Sequence, residues 1–294
     1  MKNNALKGSL YIALGASSYG MLATFVKIAY QENYTTAEVT LSQYSLGFLG
    51  LLILNLFQKK NSQSSPKKMN FKSTFKLIVA GSSLGLTSTF YYLSVQYIPV
   101  SAAIVLLMQT VWIGAVLETI LYKKFPEKRK IVSIVLVLIG TLLAVNLIKE
   151  AAVINWKGFL YGMLAALSYT ATMYSSNNIE LHLPPLKRSL YMILGGLIVV
   201  IFIFHSSINQ EFAFDILLNW GIVLSLFGTI LPPLLFTKGM PLTGMGLGAI
   251  VASIEIPVSI FIAYIWLSEA VSLFQWVGIL LILFAVVLMN FQKK

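Results

Sequence analysis

The chain has 294 residues, 57% of them hydrophobic and 11% charged, and carries a formal charge of +11 at pH 7. Soluble domains carry about 25% charged residues, so a water-soluble protein is excluded; the absence of cysteine excludes disulfides, thiol nucleophiles and cysteine-type zinc sites. A helical span needs ~20 apolar residues, which leaves room for about a dozen spans joined by short loops.

Apolar runs bounded by charges, prolines, glycines or polar clusters fall at about 8–30, 36–57, 76–97, 100–122, 131–148, 157–177, 187–205, 218–238, 244–267 and 272–290. They predict an all-α polytopic membrane protein of ten transmembrane helices. The first run follows Lys2 and Lys7, contains Lys27 and is too long for a signal peptide, so it reads as a retained first span. The longest connection, 58–75, is too short and polar to be a domain. With a cytoplasmic N-terminus, Lys2, Lys7, Lys59, Lys60, Lys67, Lys68, Lys72, Lys76, Lys123, Lys124, Lys128, Arg129, Lys130, Lys187, Arg188, Lys238, Lys293 and Lys294 all lie inside, against Lys149 and Lys157 outside. This positive-inside bias puts both termini in the cytoplasm. Contact with anionic lipid accounts for the net charge, and nucleic acid is not an expected partner.

Residues 7–20 and 157–170 are identical at eight of fourteen positions, including Lys7-Gly8 with Lys157-Gly158 and Ser18-Tyr19 with Ser168-Tyr169. The chain therefore reads as a duplication, 1–148 and 149–294. Five spans per half is an odd number, so the second half must start from the opposite side of the membrane. Inverted-topology repeats build many secondary transporters, with the site near the midplane between the halves; duplicated bundles also build channels and scaffolds.

Glu255 lies near the centre of the ninth span, where an acid costs on the order of 2.5–3.5 kcal/mol. Such a residue is a candidate for substrate or proton binding, and a protonated structural acid is the competing reading. Pro257 follows in Ser253-Ile254-Glu255-Ile256-Pro257, and Pro232-Pro233 interrupts the eighth span. Both lack the N–H that a helix interior requires, which predicts two broken helices beside a cavity. Lys27 near the outer end of the first span either meets substrate or snorkels to the interface. The duplication pairs Lys27 with Asn177, and Glu255 with Gln109. Trp112 shares a helix face with Gln109, whereas Glu118 points elsewhere and is expected to pair with Lys123 or Lys124. Trp156, Trp220 and Trp276 fit an interfacial belt; Tyr19, Tyr91, Tyr92 and Tyr169 are deeper and need polar partners. With Thr229 from the broken eighth span, the candidate substrate set is Tyr19, Lys27, Tyr91, Tyr92, Gln109, Trp112, Tyr169, Asn177, Thr229 and Glu255. Gly81…Gly85 and Gly244…Gly248 are expected to be helix-packing surfaces.

Gly228-Thr229-Ile230-Leu231-Pro232, Lys238-Gly239-Met240, Ser253-Ile254-Glu255-Ile256-Pro257 and Leu267-Ser268-Glu269 resemble the second repeat of the EamA-type transporters in the drug/metabolite transporter superfamily. Ser18-Tyr19-Gly20 with Lys27 resembles the first span of that family, with tyrosine where tryptophan is usual. Gln109-Thr110-Val111 stands where a proline is common, Lys123 opposite Glu269, and Gln43 where an arginine often opens the second span. The resemblance implies a secondary transporter, usually an exporter, of amino acids or other small metabolites.

A small-molecule substrate, protons as coupling ion and Glu255 as their carrier are thus expected, in a bacterial plasma membrane, as a monomer or homodimer and without cofactor or metal. Efflux of lipophilic cations is the alternative. An intramembrane enzyme is not expected: the lone aspartate, Asp215, falls in a loop, and His182 and His205 lie at span ends.

Overall fold

The computed structural model describes residues 2–58, 70–145, 155–208, 211–268 and 270–290. Lys59, Lys60, Lys67, Lys68, Lys149, Glu269, Lys293 and Lys294 of the sequence reading lie outside the described residues. Within them the secondary structure is helical: α1 (Lys2–Gln31), α2 (Thr36–Phe57), α3 (Phe71–Val95), α4 (Val100–Leu107), α5 (Thr110–Tyr122), α6 (Lys128–Ala144), α7 (Trp156–Asn178), α8 (Pro185–Phe204), α9 (Ile222–Ser225), α10 (Leu231–Thr243), α11 (Met245–Ala252), α12 (Glu255–Trp266) and α13 (Leu273–Asn290). Among the described residues seven stretches are long and apolar enough to cross a membrane: Asn4–Gln31, Thr36–Phe57, Ala102–Tyr122, Pro185–Ser207, Leu217–Thr243, Met245–Trp266 and Leu273–Asn290.

Local chemistry fixes the helix starts. Thr35 and Glu38 form a reciprocal capping box at α2. Asn70 accepts from Ser73 N, so α3 begins at Phe71, five residues before the apolar run suggests. Asn155 caps α7 through Lys157 N, and Pro185 opens α8 at the position where its missing N–H costs nothing.

Polarity is distributed as hydrocarbon demands. Leu10, Leu14, Ile53, Val79, Ile120, Ile139, Phe202, Ile222, Phe261 and Phe284 are exposed, whereas Ser18, Thr24, Thr40, Thr110, Ser133, Thr141, Thr170, Thr172 and Ser189 are buried. Many of the buried hydroxyls return a hydrogen bond to the carbonyl four residues back, as Thr40 does to Thr36 O (2.7 Å), Thr141 to Val137 O (2.7 Å) and Ser189 to Pro185 O (2.9 Å). The helices thus bring their own acceptors, and the outward face is left apolar.

The two halves interleave. α1 packs on α10 and α12, and its counterpart α7 packs on α3 and α4; α2 meets α8, and α6 pairs with α13. Gly8, near the start of α1, faces Gly239 and Leu242 near the end of α10. Arg188 joins Thr237 O of α10 to Ser175 O and Ser176 O at the end of α7. The start of α1 and the end of α7 therefore lie at the same end of the bundle, so these two counterpart helices run in opposite directions.

Small residues let the central helices touch backbone to backbone. A Cβ at Gly81 would run into the carbonyl of Met192, and one at Gly195 into that of Ile78; one at Gly85 would stand 2.5 Å from Gly196 O. The α3–α8 crossing therefore has no room for a methyl group. Gly81→Ala is expected to cost roughly 1–3 kcal/mol by overpacking, read as a lower unfolding temperature, while Gly114→Ala, whose nearest neighbour is Ala249 Cβ at 3.8 Å, should be silent. The second glycine group behaves differently from expectation. Gly244, at φ +78, makes the left-handed turn between α10 and α11, and only Gly246 and Gly248 lie against neighbours, Lys130 with Glu118 and Met240.

Candidate functional site

Three helices are interrupted. α11 ends at Ala252 and α12 opens at Glu255, with the turn carried by short-range bonds from Ser253 N to Ile250 O and from Ile254 N to Val251 O, both 3.2 Å. Pro257 cannot donate to Ser253 O, and that carbonyl instead accepts from Ile256 N at 3.2 Å. Ahead of Pro232 and Pro233 the chain winds into a π-helical segment, Leu226–Ile230, with another over Leu217–Gly221; such bulges absorb a broken ladder without leaving the helix. The fourth span breaks without a proline, at Met108–Gln109. Gln109 Nε2 donates to Val105 O at 2.9 Å, so a side-chain amide serves a backbone carbonyl at that break.

Glu255 sits in the first turn of α12, where the helix dipole favours negative charge. Its Oε2 is buried and has no hydrogen-bond partner among the described residues. Gly20 of α1 brings backbone against this point, since a Cβ there would stand 2.5 Å from Glu255 O. Tyr19, Tyr91 and Tyr169 lie within electrostatic reach of the carboxylate. Tyr19 contacts Tyr169 at 6.4 Å between ring centroids and Phe236 at 5.9 Å, both edge-on; Tyr169 stacks on Phe236 at 6.4 Å. The Tyr169 hydroxyl is also buried without a partner. Tyr91 continues to Tyr92 at 5.9 Å, and Tyr92 to Tyr30 at 6.4 Å. One carboxylate oxygen and one phenol thus stand unpaired inside an aromatic wall drawn from α1, α3, α7 and α10, an arrangement suited to an ammonium group or a proton.

Of the ten candidate residues, Tyr19, Tyr91, Tyr169 and Glu255 come together, with Tyr92 one ring behind. Phe236 belongs with them and was missed, because one more phenylalanine in an apolar run carries no signal of its own. The other five go elsewhere. Lys27 is exposed, near the end of α1, and Asn177 is eight residues beyond Tyr169 on α7. Each lies about 12 Å along its helix from the tyrosine layer, and because α1 and α7 are antiparallel the two lie toward opposite ends. Gln109 accepts from Trp112 Nε1 at 2.7 Å, so these two satisfy each other, and Trp112 is 38% exposed. Thr229 donates to Gln43 O (2.8 Å) and Ser225 O (3.0 Å), fastening α2 to the π-helical segment. Thr110 and Glu255 each open the second half of a broken span, with Gln109 in the turn just before Thr110. Thr110 bonds Thr170 at 2.8 Å, which leaves the two halves with different chemistry at equivalent points.

The two ends of the bundle differ. Where α1 finishes, Tyr34 donates to Asp215 Oδ2 (2.9 Å), Asn219 Nδ2 to the Tyr34 hydroxyl (2.9 Å), Trp220 Nε1 to Glu32 Oε2 (2.7 Å) and Ala213 N to Glu38 Oε1 (2.6 Å). The α1–α2 turn is thereby latched to the segment after α8; Trp220 spends its indole N–H on this latch. Where α1 begins, a crevice of about 680 Å³ opens between the ends of α5 and α10 and the start of α6, lined by Glu118, Tyr122, Lys124, Lys130 and Thr243 among others. Glu118 pairs there with Lys130, not with the expected Lys123 or Lys124. The crevice does not reach Glu255.

At the same end Glu180, between α7 and α8, pairs with Lys76 (3.4 Å) and His182 (3.4 Å). Burial of its carboxyl works against the charge, but hydrogen bonds from Ser73 and Lys76 and the charges of Lys76 and His182 outweigh it and hold the pKa below the ordinary value of 4.5. A depressed folded-state pKa stabilises the fold above the unfolded value, and the gain is lost as pH falls through the folded one. Glu180→Gln is expected to lower the unfolding temperature at neutral pH, with the gap to wild type closing as pH falls below 4.5. A gap independent of pH would mean that the ion pair is not its source.

An apolar outer face, helices of spanning length and two interleaved halves define a multi-pass membrane protein. The chain belongs to the EamA-like transporter family, whose model matches residues 6–146 and 156–291, so it is a transmembrane transporter of the drug/metabolite type. A solved structure described only as "Crystal structure of protein" superposes with a TM-score of 0.76 at 12% identity, covering 98% of this chain and 97% of the other; the likeness extends to the fold alone. A search of curated proteins returns no match.

Proposed function

We propose that the chain is a secondary active transporter of ten spans, divided into repeats 1–148 and 149–294, with both termini in the cytoplasm of a bacterium. It exports small ammonium-bearing metabolites, amino acids among them, by alternating access around Glu255, with protons as the coupling ion. The observation that carries this reading is the pair of unpartnered buried atoms, Glu255 Oε2 and the Tyr169 hydroxyl, within the aromatic wall. A ligand ammonium or a proton satisfies the carboxylate, and the rings supply a cation–π surface worth ~2 kcal/mol when desolvated. The latch at one end and the crevice at the other are what a carrier closed on one side would present.

Purified protein in liposomes is expected to support saturable counterflow of at least one radiolabelled amino acid, with accumulation responding to an imposed pH gradient. Currents far above carrier turnover would mean a channel. Absence of counterflow for the whole panel, together with transport of a lipophilic cation, would overturn the amino-acid assignment.

A further inference from the structure

At the end where α1 begins, a separate hollow of about 270 Å³ is lined by Lys7 and Tyr11 of α1, Leu181 and Leu183 of the α7–α8 loop, Pro185 and Arg188 of α8, and Thr237, Lys238, Pro241 and Leu242 of α10. Its charge is one-sided. Lys7 Nζ and Lys238 Nζ stand 6.0 and 5.9 Å from the same Tyr11 ring centroid, and among the described residues neither has a carboxylate partner. Arg188 lies beneath them, 2% exposed, its donors occupied by the carbonyls of Ile179, Ser175, Ser176 and Thr237. Those carbonyls, three of them at the negative end of the α7 dipole, solvate the guanidinium, but no carboxylate is bonded to it among the described residues. The acid on the bordering loop, Glu180, is committed to Lys76 and His182.

We infer that this hollow binds a phosphate-bearing anion. Two exposed lysines flank Tyr11 above a buried arginine, no acid is in the lining, and the hollow lies just below the roughly 300–1,000 Å³ of pockets for drug-sized ligands, which suits a headgroup. The surroundings favour a lipid as its source. Leu6, Leu10 and Leu14 form an exposed apolar strip climbing α1 from beside Lys7, and Leu181 and Leu242 on the rim are exposed as well. A phospholipid with its phosphate between Lys7 and Lys238 has a path for its chains along that strip. The site is independent of Glu255 and of the substrate assigned above.

The test uses the purified full chain in detergent, with dioctanoyl-phosphatidylglycerol, dioctanoyl-phosphatidylcholine and inorganic phosphate as separate probes, read by thermal unfolding and native mass spectrometry. Wild type is expected to bind phosphatidylglycerol more tightly than phosphatidylcholine, and K7Q/K238Q to bind it roughly thirtyfold more weakly, each lysine near an anionic headgroup being worth ~1 kcal/mol. K157Q, at the opposite end, should bind as wild type does. Displacement of the lipid by millimolar inorganic phosphate would identify a site for soluble phosphate as well; failure to displace it would restrict the site to headgroups, and both outcomes support the assignment. Equal phosphatidylglycerol binding by wild type and K7Q/K238Q would overturn it. Should the double variant fail to fold, K7R/K238R against the single K238Q decides the matter: binding must follow charge.

Discussion

Glu255→Gln is expected to abolish pH-gradient-driven transport while leaving the protein as stable as wild type or more so. The two halves of this result come from one fact, the burial of Glu255 Oε2 without a partner. An ionised carboxylate in that position is costly to the fold, and replacing a buried, poorly compensated charge with a neutral group of equal size is often neutral or stabilising. Glutamine keeps the volume, so the aromatic wall of Tyr19, Tyr91, Tyr169 and Phe236 has no reason to rearrange. It cannot exchange a proton, however, and it cannot neutralise an ammonium. Removing one partner of a buried charge pair costs ~2–5 kcal/mol of binding, which is roughly thirtyfold or more in affinity. Initial rates in liposomes with and without a pH gradient, beside thermal unfolding of the same preparations, measure both quantities. Full gradient-driven transport by the variant would remove Glu255 from the coupling, and a large loss of stability would make it a structural acid. Glu255→Asp should retain part of the activity, since the charge remains but is withdrawn by one methylene from the tyrosines.

The same residue shows what could be read in the sequence. An acid in an apolar run two residues before a proline is conspicuous from composition alone, and the break falls beside it at Ser253–Ile254. Tyr19 and Tyr169 were recoverable because the duplication sets them in register, and they do meet at 6.4 Å. The helix limits of α2 and α13 follow the apolar runs closely, because lipid imposes length and hydropathy together. The same duplication does not bring Lys27 and Asn177 to this cluster. Register correctly made them counterparts, but in an inverted repeat counterparts away from the midplane lie toward opposite ends, so only residues near the pseudosymmetry axis can share one site. Gln109 stands apart from the cluster for a local reason: with no proline at that break, its amide is drawn to Val105 O and Trp112. Arg188 was hidden, since in Lys187-Arg188 it looks like any cytoplasmic flanking cation, and nothing short of the tertiary contacts separates it from its neighbour.

Arg188→Leu is expected to prevent recovery of folded protein, and Arg188→Lys to yield protein that unfolds at a clearly lower temperature. Nε donates to Ile179 O (2.9 Å), Nη1 to Thr237 O (3.0 Å), and Nη2 to Ser176 O (2.6 Å) and Ser175 O (3.3 Å). Three of these carbonyls close the end of α7, where its dipole favours a cation; Ser175 O also accepts from Ile179 N (3.0 Å), whereas Ser176 O and Ile179 O lie where a helix has no backbone donors left to offer. The fourth belongs to α10, so one side chain of α8 ties three helices together. Leucine relieves the burial of a charge, but it strands the carbonyls of Ile179, Thr237 and Ser176 at ~1–3 kcal/mol each. That sum is comparable to the whole 5–15 kcal/mol of a typical domain. Lysine supplies three donors from a single point and cannot match the planar fork that spans Ile179, Thr237 and Ser176 at once, so part of the deficit persists. Size-exclusion recovery after expression and thermal unfolding of what is recovered separate the two variants. If Arg188→Leu unfolds at the wild-type temperature, the α7 terminus is held by something other than this guanidinium.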